Sequence, residues 1–270
     1  MTEIREGQSI ELLKELHILT GDGKMNQDSR RKLKQVYHLY QFIETRLKQL
    51  GTKKDDLTVV DHGAGKSYLG FILYDLYFKN LSNGRVCGVE TREELILKSQ
   101  TLQKKLGFER MSFINDSVAS TISSGQLPDK VDMVTALHAC DTATDDAISF
   151  ALAKKADQII LVPCCQAEVA TFLRANKKFS LATPSVELFR HSLHTREFGS
   201  HLTNVLRCLR LEAAGYSVTV TELVGFEHSM KNELIMAEYT GQKTKKAVDR
   251  IEALLSDFKI QELKPRFGLI

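Results

Sequence analysis

Residues 59–70 read VVDHGAGKSYLG. A β-branched run passes through an acid and two glycines into a helix-forming stretch, the profile of a strand, a tight turn and a helix start. The turn contains Gly65-Lys66-Ser67, the tail of a triphosphate-binding loop. That loop needs G-x-x-x-x-G-K-[ST], because its backbone N–H groups must wrap the phosphate. The first glycine would fall at position 60, which is Val60 in mid-strand, so the loop is too short. The dinucleotide pattern G-x-G-x-x-G fails after Gly63 and Gly65: its third glycine would fall at Tyr68, two residues short of Gly70. Asp61 stands just before the glycines, where it would repel a pyrophosphate and welcome a cation.

Outward from this turn, strand and helix patterns alternate. Strands are expected over 57–62, 85–90, 110–115, 131–137 and 158–163. Helices are expected near 67–80, 92–106, 117–124, 142–156 and 195–214. Two further strands, 217–225 and 233–239, flank the turn FEHSMKN, and 242–258 has the pattern of a last amphipathic helix. Residues 9–50 read as helical, with Leu33, Val36, Tyr40, Ile43, Leu47 and Leu50 forming one apolar stripe. Such alternation implies an α/β fold with a mainly parallel sheet covered on both faces. Three segments are expected: a helical extension over 1–54, the α/β domain over 55–240, and a helix and tail over 241–270.

The chain has 270 residues, 43% of them hydrophobic, enough to bury a core without disulfide staples. Five cysteines, Cys87, Cys140, Cys164, Cys165 and Cys208, lack disulfide-framework spacing and suit a reducing compartment. The acidic N-terminus has no signal-peptide pattern, and no apolar run reaches the ~18 residues of a membrane span, so a cytoplasmic protein is expected. The net charge of +3 is unevenly spread. Residues 24–54 hold nine Lys/Arg against two acids, and 174–210 hold seven against two. These segments read either as a polyanion-facing surface or as solvated helix faces.

The pattern D-x-G-x-G, with an acid closing the second strand, resembles motif I of class I S-adenosylmethionine-dependent methyltransferases. The resemblance covers residues 55–240 and implies a Rossmann-like, seven-stranded, mostly parallel sheet with a reversed seventh strand. It implies S-adenosylmethionine as cofactor, with Asp61, Gly63, Gly65 and Lys66 in the glycine loop. Glu90 would hold both ribose hydroxyls, which needs a bidentate acceptor at a strand tip. Asn115, Asp116 and Ser117 would meet the adenine edge. The competing reading is an ordinary doubly wound fold binding NAD.

Strand four ends in Leu137-His138-Ala139-Cys140-Asp141, and strand five in Pro163-Cys164-Cys165-Gln166. Together these resemble a branch of that superfamily containing the tRNA acceptor-stem ribose 2′-O-methyltransferase and the glutathione-S-transferase-C-terminal-domain-containing methyltransferase-like proteins. The strand-five motif is poorer in Cys and His than in the tRNA enzyme. Asp141 or His138 is the expected base, with Cys140 between them as a further catalytic candidate, although Asp141 also suits an N-cap and His138 a buried histidine. Cys164 and Cys165 read as turn packing, as walls of an acceptor pocket, or as a nucleophile. The adjacent pair is poor zinc spacing, and no metal is expected. Arg190, Arg196 and the turn residues His228, Lys231 and Asn232 are candidates for acceptor binding. No Asn/Asp-Pro-Pro-Tyr/Phe stands at strand four, which disfavours methylation of an exocyclic adenine amine. The expected activity is methyl transfer to RNA, without a membrane partner. A small-molecule or protein methyltransferase and a non-catalytic partner module are the alternatives.

Overall fold

The computed structural model describes residues 4–137, 139, 141–163, 166–176, 184–223 and 233–268. Its sheet has seven strands: β1 Thr58–His62, β2 Arg85–Glu90, β3 Met111–Asn115, β4 Met133–Leu137, β5 Gln158–Val162, β6 Tyr216–Glu222 and β7 Glu233–Tyr239. They lie in the order β3-β2-β1-β4-β5-β7-β6. β1 to β5 are mutually parallel, and β7 runs antiparallel between β5 and β6, pairing Gln158 with Glu238. The order reverses between β1 and β4, so the crevice beyond their carboxyl ends is the ligand site of such a sheet. β1 and β5 are buried throughout, as parallel strands covered on both faces require.

The helices are α1 Ile10–Glu15, α2 Gln27–Gly51, α3 Tyr68–Leu73, α4 Glu93–Leu106, α5 Val118–Ser123, α6 Thr142–Ala153, α7 Glu168–Ala175, α8 Ser192–Ala213 and α9 Lys245–Asp257. α3 runs on into a π-helical turn, Tyr74–Phe78, and 3-10 turns span Pro184–Phe189 and Gln261–Phe267. The continuous helix expected over 9–50 is interrupted. α1 stops at Glu15, and Thr20 and Lys24 close a turn around Gly21 and Gly23 before Asn26 caps α2 by accepting the N–H of Ser29. α7 was not expected, because one apolar face of two turns is a weak periodic signal. It packs tightly on α8: a Cβ added to Gly199 would lie 2.7 Å from the Ala170 Cα. Gly199→Val should therefore force the two helices apart and lower stability by about 1–3 kcal/mol, read by urea unfolding.

One sheet face packs Leu39, Tyr40 and Ile43 of α2 and Phe71 of α3 against Val59, Met133, Ile160 and Met236. The other packs Ile148 and Phe150 of α6 and Leu211 of α8 against Val60, Val134 and Ile159. A third cluster contains no strand: Val169 and Leu173 of α7, Leu206 of α8, Ile251 and Leu255 of α9, and Phe267.

α2 is longer than the sheet is tall. Its 25 residues extend about 37 Å, whereas the five residues of β1 extend about 17 Å. Its carboxyl end leads into the start of β1, and Arg46 there senses Glu238, at the end where β5 begins. The first turns of α2, at the end of the helix remote from the start of β1, carry the exposed Arg31, Lys32 and Lys34.

Candidate functional site

The turn after β1 is a cradle built from backbone. Gly63 and Gly65 have φ of +66° and +57°, which glycine adopts without the steric cost of a Cβ. A Cβ on Gly63 would lie 3.3 Å from the Ala139 Cβ, and one on Gly65 would approach the Arg92 guanidinium to 3.7 Å. Ala64 N–H donates to the Val89 carbonyl at 3.0 Å, stitching the loop to β2. Lys66 is exposed at the rim, beside a groove of about 520 Å³ that also involves Tyr68, Leu95 and Lys98.

Asp61 lies beneath this loop, 2% exposed. Its carboxylate accepts the Thr135 hydroxyl at 2.9 Å and the Gly70 N–H. Burial pushes the carboxyl up to about 7, and those two donors only partly oppose it. A raised acid keeps its proton in the native chain after the unfolded chain has lost it. Its contribution to stability therefore falls as pH rises from about 4 to about 7 and is level above that. Asp61→Asn removes this penalty. Its unfolding free energy should match the wild type near pH 4 and exceed it at pH 8 by on the order of 2 kcal/mol, read by urea unfolding. Neighbouring His62 is buried against Phe150, its ring nitrogens have no hydrogen-bond partner among the described residues, and burial holds it neutral, pulled down to about 4.

Glu90 closes β2 with its carboxylate fully engaged. Oε2 accepts the Gly65 N–H at 2.8 Å, and Oε1 accepts the Arg92 backbone N–H at 3.0 Å. The Arg92 guanidinium adds Nε to Oε1 at 3.0 Å and Nη2 to Oε2 at 3.2 Å. Burial alone would raise the carboxyl, but the donors from Arg92 and Gly65 outweigh it and hold it near 2. Asn115 at the β3 tip donates Nδ2 to the Glu90 carbonyl at 3.0 Å. Asp116 accepts the Ser117 N–H, and the Ser117 hydroxyl caps α5 by accepting the Ser120 N–H. β1, β2 and β3 thus gather Asp61, Gly63, Gly65, Lys66, Glu90, Asp116 and Ser117 around one pole, as their strand-end positions imply.

The β4 tip is organised differently. Asp141 has φ 50° and ψ −123°, an unfavourable conformation for a residue with a Cβ. Its carboxylate makes no cap bond to α6. It reaches across to β5 and accepts the N–H groups of Ala167 and Glu168, at 3.0 and 3.2 Å, where α7 begins. Its carbonyl accepts Nη2 of the fully buried Arg207 at 2.7 Å. Arg207 also forms a two-pronged pair with Asp145, Nε to Oδ1 at 3.0 Å and Nη2 to Oδ2 at 2.6 Å. Asn204 continues this network: its Oδ1 accepts from Arg207 and Gln166, and its Nδ2 donates to Glu233 at the start of β7.

Among the sequence candidates, His138, Cys140, Cys164, Cys165, His228, Lys231 and Asn232 lie outside the described residues. Arg196 is exposed on α8 and pairs with Glu197, and Arg190 pairs with Glu187. The sequence reading did not single out Thr135, Arg92, Asp145 or Asn204. Their signal was polarity on an apolar face: Asp145 in TATDDAISFALA, and Asn204 and Arg207 on one stripe of α8. Among the described residues, no three His, Cys, Asp or Glu side chains are grouped to hold a metal ion.

The pole fits a nucleoside-bearing ligand. It offers an ionised two-oxygen acceptor at the β2 tip and a glycine loop without Cβ atoms to fill it. A family model described as "Methyltransferase domain" matches residues 31–172. The Homo sapiens glutathione S-transferase C-terminal domain-containing protein is 23% identical over 239 residues, 80% of this chain and 34% of its own. Its Mus musculus namesake is 25% identical over 177 residues, 65% of this chain and 24% of its own. The chain thus spans about a third or less of these curated relatives. Among solved structures, magnesium protoporphyrin IX methyltransferase from Synechocystis PCC 6803 is 18% identical, with a TM-score of 0.44, covering 85% of this chain and 93% of its own.

Proposed function

The chain belongs to the methyltransferase-domain family, and on that premise we propose that this S-adenosylmethionine-dependent enzyme methylates RNA. The sulfonium cofactor supplies an activated methyl group whose transfer is an in-line displacement, so the protein's work is alignment and exclusion of water. Glu90 is placed to accept the ribose hydroxyls. The backbone at Gly63 and Gly65 gives room for the remainder, and Asp61 secures the loop from below. An oxygen acceptor also needs a base, drawn from His138 and Asp141. The Asp141 carboxylate already accepts two N–H groups of α7, which favours His138 for the proton and Asp141 as the holder of its loop.

The observation that supports the RNA reading is the row of exposed cations, Arg31, Lys32 and Lys34, on the first turns of α2, at the end of that helix remote from the start of β1. Cations so placed suit the phosphates of a substrate too large to enter the crevice. Methyl-labelled S-adenosylmethionine incubated with size-fractionated total RNA should label one RNA class. Replacing Arg31, Lys32 and Lys34 with alanine should lower the salt slope of RNA binding by about 2 to 3 and leave S-adenosylhomocysteine binding unchanged. Label in small-molecule or protein fractions, with none in RNA, would overturn the reading.

A further inference from the structure

Every acceptor position of the Glu90 carboxylate is taken by the protein itself. Two oxygens offer about four lone-pair sites. The N–H groups of Gly65 and Arg92 take one on each oxygen, the Arg92 guanidinium takes the other two, at 3.0 and 3.2 Å, and the Thr91 hydroxyl makes a longer approach to Oε1 at 3.4 Å. The backbone bonds are built into the loop. The guanidinium is not: the Arg92 side chain is 60% exposed, whereas that of Glu90 is 6% exposed. The more solvated partner can leave at little cost, because water replaces its bonds.

We propose that Arg92 is a self-ligand of the ribose seat, a built-in competitor that any nucleoside must displace from Glu90 before its diol can bind. This rests on the S-adenosylmethionine reading of the site. The geometry is that of a bidentate Arg–carboxylate pair, whose two parallel bonds a cis-diol can replace one for one. The binding-competent state is the one in which the guanidinium has left the carboxylate, so the apparent affinity for a nucleoside is reduced by the fraction of time Arg92 is away. The guanidinium already lies beside Gly65, so once displaced it remains tethered near the glycine loop and adds a cation to that rim.

The competition has an unusual signature. Salt weakens a partly exposed ion pair, so an uncharged nucleoside should bind more tightly as ionic strength rises. Adenosine is the suitable probe, because it carries the diol and no charge. Calorimetric titration from about 50 to about 500 mM KCl should show wild-type affinity for adenosine rising about twofold. Arg92→Ala should bind adenosine and S-adenosylhomocysteine about threefold more tightly at low salt, with the salt dependence gone. Its thermal melt should stay near that of the wild type, because Arg92 is on the surface. Weaker binding by Arg92→Ala would overturn the proposal and make Arg92 a positive contact of the nucleoside. Equal affinities with equal salt profiles would also overturn it, while leaving the cofactor reading intact. If neither ligand bound either protein, the cofactor reading itself would fall, and the proposal with it.

Discussion

Replacing Arg207 with alanine should cost about 3–5 kcal/mol of stability, enough to unfold a large part of the population at physiological temperature. The loss comes less from the missing attraction than from what remains behind. Asp145 is buried with both oxygens aimed at the guanidinium, and without it the carboxylate is an uncompensated charge inside the protein. The Asp141 carbonyl and Asn204 Oδ1 each lose a donor as well. Replacing both partners by apolar residues of similar volume, Arg207→Met with Asp145→Leu, should recover much of the loss, because no orphaned charge remains. Urea unfolding of the two single variants and the double variant tests this, and additive losses would contradict it. The recovered double variant should still transfer methyl groups poorly. Its Asp141 has lost the bond that holds an unfavourable backbone conformation at the β4 tip.

The second large effect falls on the cofactor. Glu90→Ala should weaken S-adenosylhomocysteine binding by about two orders of magnitude, the loss of two hydrogen bonds to a charged acceptor. It should leave the fold intact, since Arg92 returns to solvent and the Gly65 N–H lies at the mouth of the loop. Glu90→Gln keeps the shape but offers one acceptor oxygen, so an intermediate loss is expected. The wild-type carboxyl titrates near 2, so cofactor affinity should not fall through loss of this charge until the solution is well below pH 4. A drop in affinity between pH 5 and 7 would point to another group. Equilibrium dialysis with labelled S-adenosylhomocysteine distinguishes these outcomes.

The grouping at the β1, β2 and β3 tips was legible in the sequence because its chemistry is local. A strand tip is marked where an apolar run stops, and Asp61, Glu90 and Asn115 stand at three successive tips. The closing hairpin was legible from two strand patterns joined by a short turn, and the family resemblance implied that β7 is the reversed strand. The β4 tip was less legible. Asp141 stands at the N-cap position of α6, and sequence suggests that it caps that helix. Its bonds go instead to the start of α7, at Ala167 and Glu168, and such a choice is made by tertiary packing. Arg207 was read as one of a group of basic residues, because a charge buried by a partner more than sixty positions away leaves no periodic trace. The interruption between α1 and α2 was missed for the opposite reason: a strong apolar stripe in α2 masked the glycine turn before it.

The strand-free cluster on α7 and α8 has a consequence for distant sequence variation. Arg266, in the last 3-10 turn, grips Glu168 with Nε and Nη2 at 2.9 and 3.0 Å, and Glu168 N–H is one of the two groups that hold the Asp141 carboxylate. Residues near 266 therefore stand two links from the β4 tip, although the matched family region ends at residue 172. Comparative mutagenesis confined to that shared region would reach Glu168 but leave Arg266, the other half of the strut behind the β4 tip, untouched. Substitutions near residue 266 can then shift the β4 tip while the β1, β2 and β3 tips stay as they are.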